Sequence, residues 1–120
     1  MNSLEIENIG VMQAFLELSK QNLDIFVDLG GRKPFDCVVY NRKKDRLFKV
    51  EIKTTFNSRD GRAHFYSHNN FKFDVLICIY SKNTDYKIWV FPYLIYKELA
   101  ISLQKDVRYT IYENNWSIFQ

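Results

Sequence analysis

Residues 35–55 read FDCVVYNRKKDRLFKVEIKTT, and the way this stretch pairs with itself decides the fold. Two β-rich runs, Phe35–Asn41 and Arg46–Thr55, flank a polar turn at Arg42–Asp45. With the turn centred between Lys43 and Lys44, facing residues have numbers that add to 87. Phe35 then faces Ile52, Cys37 faces Val50 and Val39 faces Phe48, so six apolar side chains share one face, because side chains alternate along a strand. The opposite face pairs Asp36 with Glu51, Val38 with Lys49 and Tyr40 with Leu47. A slip of one residue mixes polar and apolar side chains on both faces, so the hydrophobic pattern selects this register; longer loops of the same parity are compatible with it.

Outward from the hairpin, Asn2 or Ser3 caps a helix reaching about Gln21, with Val11, Met12, Phe15, Leu16 and Leu18 as its apolar stripe. Asn22 is an expected left-handed stop. Leu23–Asp28 reads as a strand that Gly30-Gly31 breaks. After the hairpin, the polar residues Asn57–Asn70 read as a loop. Phe73–Tyr80 is an almost continuous apolar run, expected to be a strand buried on both faces. Tyr86–Phe91 is a further strand, and Pro92 suits the first turn of a helix over Tyr93–Leu103. Val107–Tyr112 and Trp116–Phe119 are expected terminal strands. This order predicts one α/β domain over residues 1–120, a mixed β-sheet flanked by helices.

Composition fits that reading. At 120 residues, 47% hydrophobic and 17% aromatic, the chain suits a single domain with a substantial core, which excludes intrinsic disorder. No run approaches the roughly 18 apolar residues of a membrane span. Met1–Ile9 carries Glu5 and Glu7 and no basic region, unlike a signal or transit peptide. Cys37 and Cys78, in apolar runs, read as reduced core cysteines of an intracellular, cytoplasmic protein. The formal charge of +3 is unevenly spread: Arg32–Arg62 holds ten basic residues against four acids, a net of +6, which leaves −3 for the rest. Phosphate backbones select that asymmetry, although a solvated hairpin with ordinary lysines also produces it.

The same register brings two carboxylates together. Asp36 and Glu51 are cross-strand neighbours, with Cβ atoms about 5 Å apart, where like charges destabilise. A divalent cation offsets the repulsion, and hard oxygen ligands suit Mg²⁺. Lys53, two residues after Glu51, projects from the same face, where its ammonium neutralises charge, orients a water or stabilises a phosphate. The plain alternative is a surface salt-bridge network in which Lys53 and Lys49 pair with the two acids.

These residues resemble a known superfamily. Pro34-Phe35-Asp36 followed by Val50-Glu51-Ile52-Lys53 is similar to the PD-(D/E)XK nuclease signature, with one extra residue between Pro and Asp. The wider order resembles group I intron-encoded PD-(D/E)XK homing endonucleases over roughly residues 7–92: Ile9-Gly10 in a helix, the Asn22 break, a strand, Gly30-Gly31, FDCVVY, KVEIKTT, FDVLICIY and KIWVFP. The first half is also similar to archaeal Holliday junction resolvases. The resemblance implies a restriction-endonuclease-like core and Mg²⁺- or Mn²⁺-dependent hydrolysis of DNA. It implies Asp36, Glu51 and the Ile52 carbonyl as metal ligands and Lys53 as the catalytic lysine. Where these families carry a Glu after the helix glycine, this chain has Val11; Glu7, one turn earlier on the same face, is the carboxylate that would substitute through a water.

Arg32, Lys33, Arg42, Lys43 and Lys44 are candidate phosphate contacts on double-stranded DNA, and Arg59, Arg62 and His64 candidate base contacts, each with an exposed surface residue as the alternative. His64 and His68 are four apart, but Gly61 and its polar neighbours argue against a helical metal site there. One active site per chain and two strands to cut imply a homodimer or a dimer of dimers. Its interface draws on Phe91, Tyr93, Tyr96, Tyr109, Tyr112 and Trp116 unless these complete the core. A junction resolvase, a restriction-type nuclease and a non-catalytic nucleic-acid-binding module are the rival functions.

Overall fold

The computed structural model describes residues 2–30, 35–56, 64–66, 73–82, 85–92, 100–102 and 107–120. The Asn2 side-chain oxygen accepts the Glu5 N–H at 2.9 Å, satisfying one of the donors that a helix start leaves open. Helix α1 then runs Ser3–Lys20 and stops at Asn22, whose φ of 59° is the expected left-handed end. Ala14 and Leu18 are its fully buried side chains, with Val11 and Phe15 packed beside them. Met12 and Leu16, expected in that stripe, are exposed: a 3.6-residue period turns both to the side opposite Ala14.

The strands are β1 (Asp24–Phe26), β2 (Cys37–Asn41), β3 (Arg46–Phe56), β4 (His64–Tyr66), β5 (Val75–Lys82), β6 (Asp85–Pro92) and β7 (Ala100–Ser102). Five form one mixed sheet in the order β1-β2-β3-β5-β6, with β3 and β5 parallel and the other neighbours antiparallel. The fold is therefore α/β, as the sequence predicts. The hairpin register is also the expected one, with Cys37 opposite Val50 and Val39 opposite Phe48. Cys37, Val39, Phe48, Val50 and Ile52 all join the core beneath α1, each large apolar side chain contributing about 1.5–3 kcal/mol by leaving water. A second core lies on the other face of the sheet, where Leu76, Cys78 and Tyr80 of β5 meet Trp89, Phe91 and Tyr109. Strand β5 is thus buried on both faces. Both cysteines are buried and free.

Phe35 departs from the expected pairing. It packs against the second core instead of beside Cys37, and the Lys49 ammonium sits 5.9 Å from its ring centroid. Residues two apart in a regular strand share a face, so the chain must bend at Asp36. The C-terminal third departs further. Pro92 closes β6, the edge strand, where its missing N–H breaks no ladder bond, rather than opening a helix. Of the expected helix Tyr93–Leu103, residues 93–99 and 103 lie outside the described residues, and Ala100–Ser102 is strand β7. It pairs with β4, itself inside the expected loop Asn57–Asn70. Val107–Tyr112 and Trp116–Phe119 are 3-10 helices, not strands. Tight turns set Tyr109 6.0 Å from Phe91 on one face of the sheet and Phe119 5.2 Å from Phe48 on the other. Phe91, Tyr109 and Trp116 are accordingly buried within the chain and do not form the aromatic interface considered from the sequence; Tyr93 and Tyr96 are outside the described residues. Among the described residues no helix is long and apolar enough to cross a membrane.

Candidate active site

Strand β3 is longer than its partner. β2 begins at Cys37, opposite Val50, so Glu51–Phe56 continue beyond the last ladder pair of the hairpin. The bend in the chain falls at this boundary. The Asp36 N–H donates to the Val50 carbonyl at 2.9 Å, one residue out of ladder register. Its carboxylate Oδ2 accepts the Ile52 N–H at 2.6 Å, taking the place of the backbone acceptor that a longer β2 would have supplied. The N–H and C=O of one strand residue leave on the same side, so the Ile52 carbonyl also faces this opening. On the other side, Asp74 clamps the start of β5: its carboxylate accepts the Lys49 N–H at 2.9 Å and its own N–H reaches the Lys49 carbonyl at 2.8 Å. β3 is paired with β2 up to Val50; beyond it β5 alone continues the ladder, as far as Phe56, and the edge that β2 leaves is open. The sequence contains no pattern that singles out Asp74 for this role.

Glu51 and Lys53 project beside Asp36. Lys53 Nζ lies 3.5 Å from Glu51 Oε1, with the lysine side chain 41% exposed and the glutamate 14%. Burial first, and the adjacent Asp36 charge second, push the Glu51 carboxyl up to about 7, against the opposing pull of Lys53. The Cys37 thiol, on the buried side, is pushed up to about 12 by burial and by the Asp36 and Glu51 charges, which leaves it neutral and unreactive. Asp36, Glu51 and Lys53 therefore come together, Glu51 and Lys53 by strand alternation and Asp36 through the bend that takes it out of the ladder. Two half-buried carboxylates with one proton-retaining member form an electrostatically frustrated pair, and their oxygens, together with the Ile52 carbonyl, are hard donors of the kind that Mg²⁺ or Mn²⁺ takes. The donor set fits such an ion.

Glu7 stands apart from this pair: among the described residues no three His, Cys, Asp or Glu side chains gather as a metal cluster. Instead, Glu7 and Ile6 line one wall of an adjoining cleft of about 350 Å³, whose other wall is the Ile52–Phe56 part of β3, including Lys53. On the opposite flank of Asp36, Phe26, Val27, Phe35 and Val38 line a mainly apolar cleft of about 340 Å³.

The hairpin tip, where three candidate phosphate contacts were placed, lies roughly 17 Å away, five residues along β3 from Glu51 at about 3.3 Å each. Arg42 is held by Asp24 through two hydrogen bonds of 2.6 and 2.8 Å, and Lys44 Nζ bonds to the Gln120 carbonyl oxygen. Lys43 is exposed beside them. Arg32, Lys33, Arg59, Arg62 and His68 lie outside the described residues, and for His64 the backbone alone is described, in β4 paired with Ser102.

No family model matches the chain, and no curated protein does. Among solved structures it is similar to a bacterial homing endonuclease, I-Ssp6803I, with a TM-score of 0.75 at 18% identity, covering 98% of this chain and 93% of that one. At that identity the likeness establishes a shared fold over nearly the whole chain.

Proposed function

We propose that the chain is a metal-dependent DNA endonuclease hydrolysing phosphodiester bonds, with Asp36, Glu51 and Lys53 as its catalytic residues. The observation that carries this reading is the Asp36–Glu51 carboxylate pair with Lys53 Nζ 3.5 Å from Glu51, standing where β3 emerges from its hairpin. The fold likeness to a homing endonuclease supports it. Asp36 and Glu51, with the Ile52 carbonyl, would hold Mg²⁺ or Mn²⁺; when bound, the ion supplies positive charge for the scissile phosphate and acidifies the attacking water. Asp36 is oriented for this by its Oδ2 bond to the Ile52 N–H and by its contact with the Glu51 carboxyl. Lys53 keeps its ammonium half exposed, within reach of a phosphoryl oxygen, where it offsets the charge that develops during attack. Glu7, which lines the same cleft as Lys53, would hydrogen-bond a water at the edge of the site.

The finer reading is a sequence-specific homing endonuclease acting on double-stranded DNA as a homodimer or a dimer of dimers, since one site per chain cuts one strand. The test is Mg²⁺-dependent cleavage of supercoiled plasmid, long genomic DNA and a four-way junction by the purified chain, with Glu51→Gln as control. Discrete fragments from a duplex support the specific endonuclease; cutting confined to the junction indicates a resolvase. Binding to DNA without any cutting, under Mg²⁺ or Mn²⁺, overturns the enzyme reading in favour of a nucleic-acid-binding module.

A further inference from the structure

Gly10 lies at the closest approach of α1 to the sheet. A Cβ built on it would stand 1.8 Å from Thr54 Oγ1, 2.7 Å from Thr54 Cγ2 and 2.8 Å from Thr54 Cβ. No rotation of Thr54 relieves all three contacts, because its own Cβ is among them, so any side chain at position 10 forces helix and strand apart. The contact is one of shape: Thr54 Oγ1 is buried without a hydrogen-bond partner, and so is Gln13 Oε1 on the next turn of α1. Its position in the molecule gives it a consequence for the site. Thr54 directly follows Lys53, and Gly10 is three residues after Glu7 on the same side of the helix. Glu7 and Lys53 both line the 350 Å³ cleft, and the Gly10–Thr54 approach lies about one helical turn from Glu7 and one residue from Lys53.

We propose that Gly10 and Thr54 are positioning residues, whose direct contact fixes the separation of Glu7 and Lys53 across the cleft beside the carboxylate pair. This inference rests on the nuclease reading above. It explains why a residue with low helix propensity sits in the middle of an 18-residue helix, where glycine costs about 1 kcal/mol relative to alanine. Displacements of the order of 1 Å at a catalytic group lower rates by about 10²-fold while leaving distant binding contacts in place.

The test is a cycle of Gly10→Ala, Thr54→Gly and the double variant, each measured for kcat and KM on a cleaved DNA and for folding by circular dichroism. Gly10→Ala is expected to lower kcat by about 10²-fold with KM within about threefold of wild type. In the Thr54→Gly background, which removes every atom of the clash, the same substitution is expected to change kcat by less than about threefold. A Gly10→Ala protein that is folded and cuts at the wild-type rate overturns the inference, as does a double variant whose two losses simply multiply. If Gly10→Ala does not fold, the double variant read against Thr54→Gly decides by the same threshold. The nuclease reading fails separately, through a wild-type chain that does not cut or a Lys53→Ala variant that cuts normally.

Discussion

The two ends of the β2–β3 hairpin carry similar charged residues and use them in opposite ways. At the tip, Arg42 is spent on Asp24, Lys44 on the Gln120 carbonyl, and Asp45 on the Tyr40 hydroxyl at 2.7 Å. These three charges have partners within the chain, and Lys43 stands exposed beside them. At the open end, Asp36 and Glu51 are set against each other, and Lys53 only partly compensates, so that burial and repulsion hold the Glu51 carboxyl near neutrality. Satisfied charges stabilise a turn; frustrated ones suit the ion proposed for this site. Net charge, which is +6 over Arg32–Arg62, does not distinguish the two cases.

The sharpest way to break this contrast is to exchange the damage. Lys53→Ala is expected to lower DNA cleavage by roughly 10²–10⁴-fold with DNA affinity little changed, whereas Lys43→Ala at the tip should alter affinity alone, by an amount that shrinks as salt rises. Equal losses of cleavage from both would show that the two ends do not differ in function. Unfolding experiments approach the contrast from the other side. Asn41, buried at the tip, donates to the Phe119 carbonyl at 2.7 Å and accepts from the Lys44 N–H at 3.2 Å. Asn41→Ala strands both partners and should cost about 1–3 kcal/mol in urea titrations, while cleavage per folded molecule stays at the wild-type value.

A subtler effect follows from Glu51. Its carboxyl is raised in the folded chain from the ordinary 4.5 to about 7, so the folded state holds this proton more tightly than the unfolded one. The sign is therefore that of a group whose stabilisation is complete below about pH 4.5 and is lost as pH rises through 7. Metal-free protein should show its urea midpoint falling across that window. Glu51→Gln should flatten the fall, and added Mg²⁺ should oppose it by taking the place of the proton. A wild-type midpoint that rises from pH 5 to 7 would contradict the assignment. The smallest expected change is at the exposed Arg42–Asp24 pair: Arg42→Ala should leave the urea midpoint unchanged at about 0.5 M salt, where such pairs are screened.

Where the chain was legible, one strong periodicity governed it. The alternation in CVVY and LFKVEIK placed Cys37, Val39, Phe48, Val50 and Ile52 on the core side, and by parity sent Glu51 and Lys53 to the other, where the bend at the start of β2 adds Asp36. The continuous apolar run at Phe73–Tyr80 identified a doubly buried strand. Legibility failed where competing propensities were close. Val107–Tyr112 has β-branched and aromatic residues that suit a strand, but the edge of β6 takes only an isolated bridge between Trp89 and Glu113, and the segment closes into a 3-10 helix instead. In α1 the assignment of Met12 and Leu16 erred because apolar residues cover more than one face of that helix.

The sequence by itself determined the parity of the central hairpin, and with it the face that Glu51 and Lys53 share, because a period of two buries five apolar side chains together only when they alternate with the polar ones. Only the tertiary structure decided how those groups behave. The bend at Asp36, the Asp74 clamp on Lys49, the closeness of Gly10 to Thr54 and the neutral-range acidity of Glu51 all arise from contacts between segments distant in sequence, where burial and neighbouring charge, rather than residue type, set position and proton affinity.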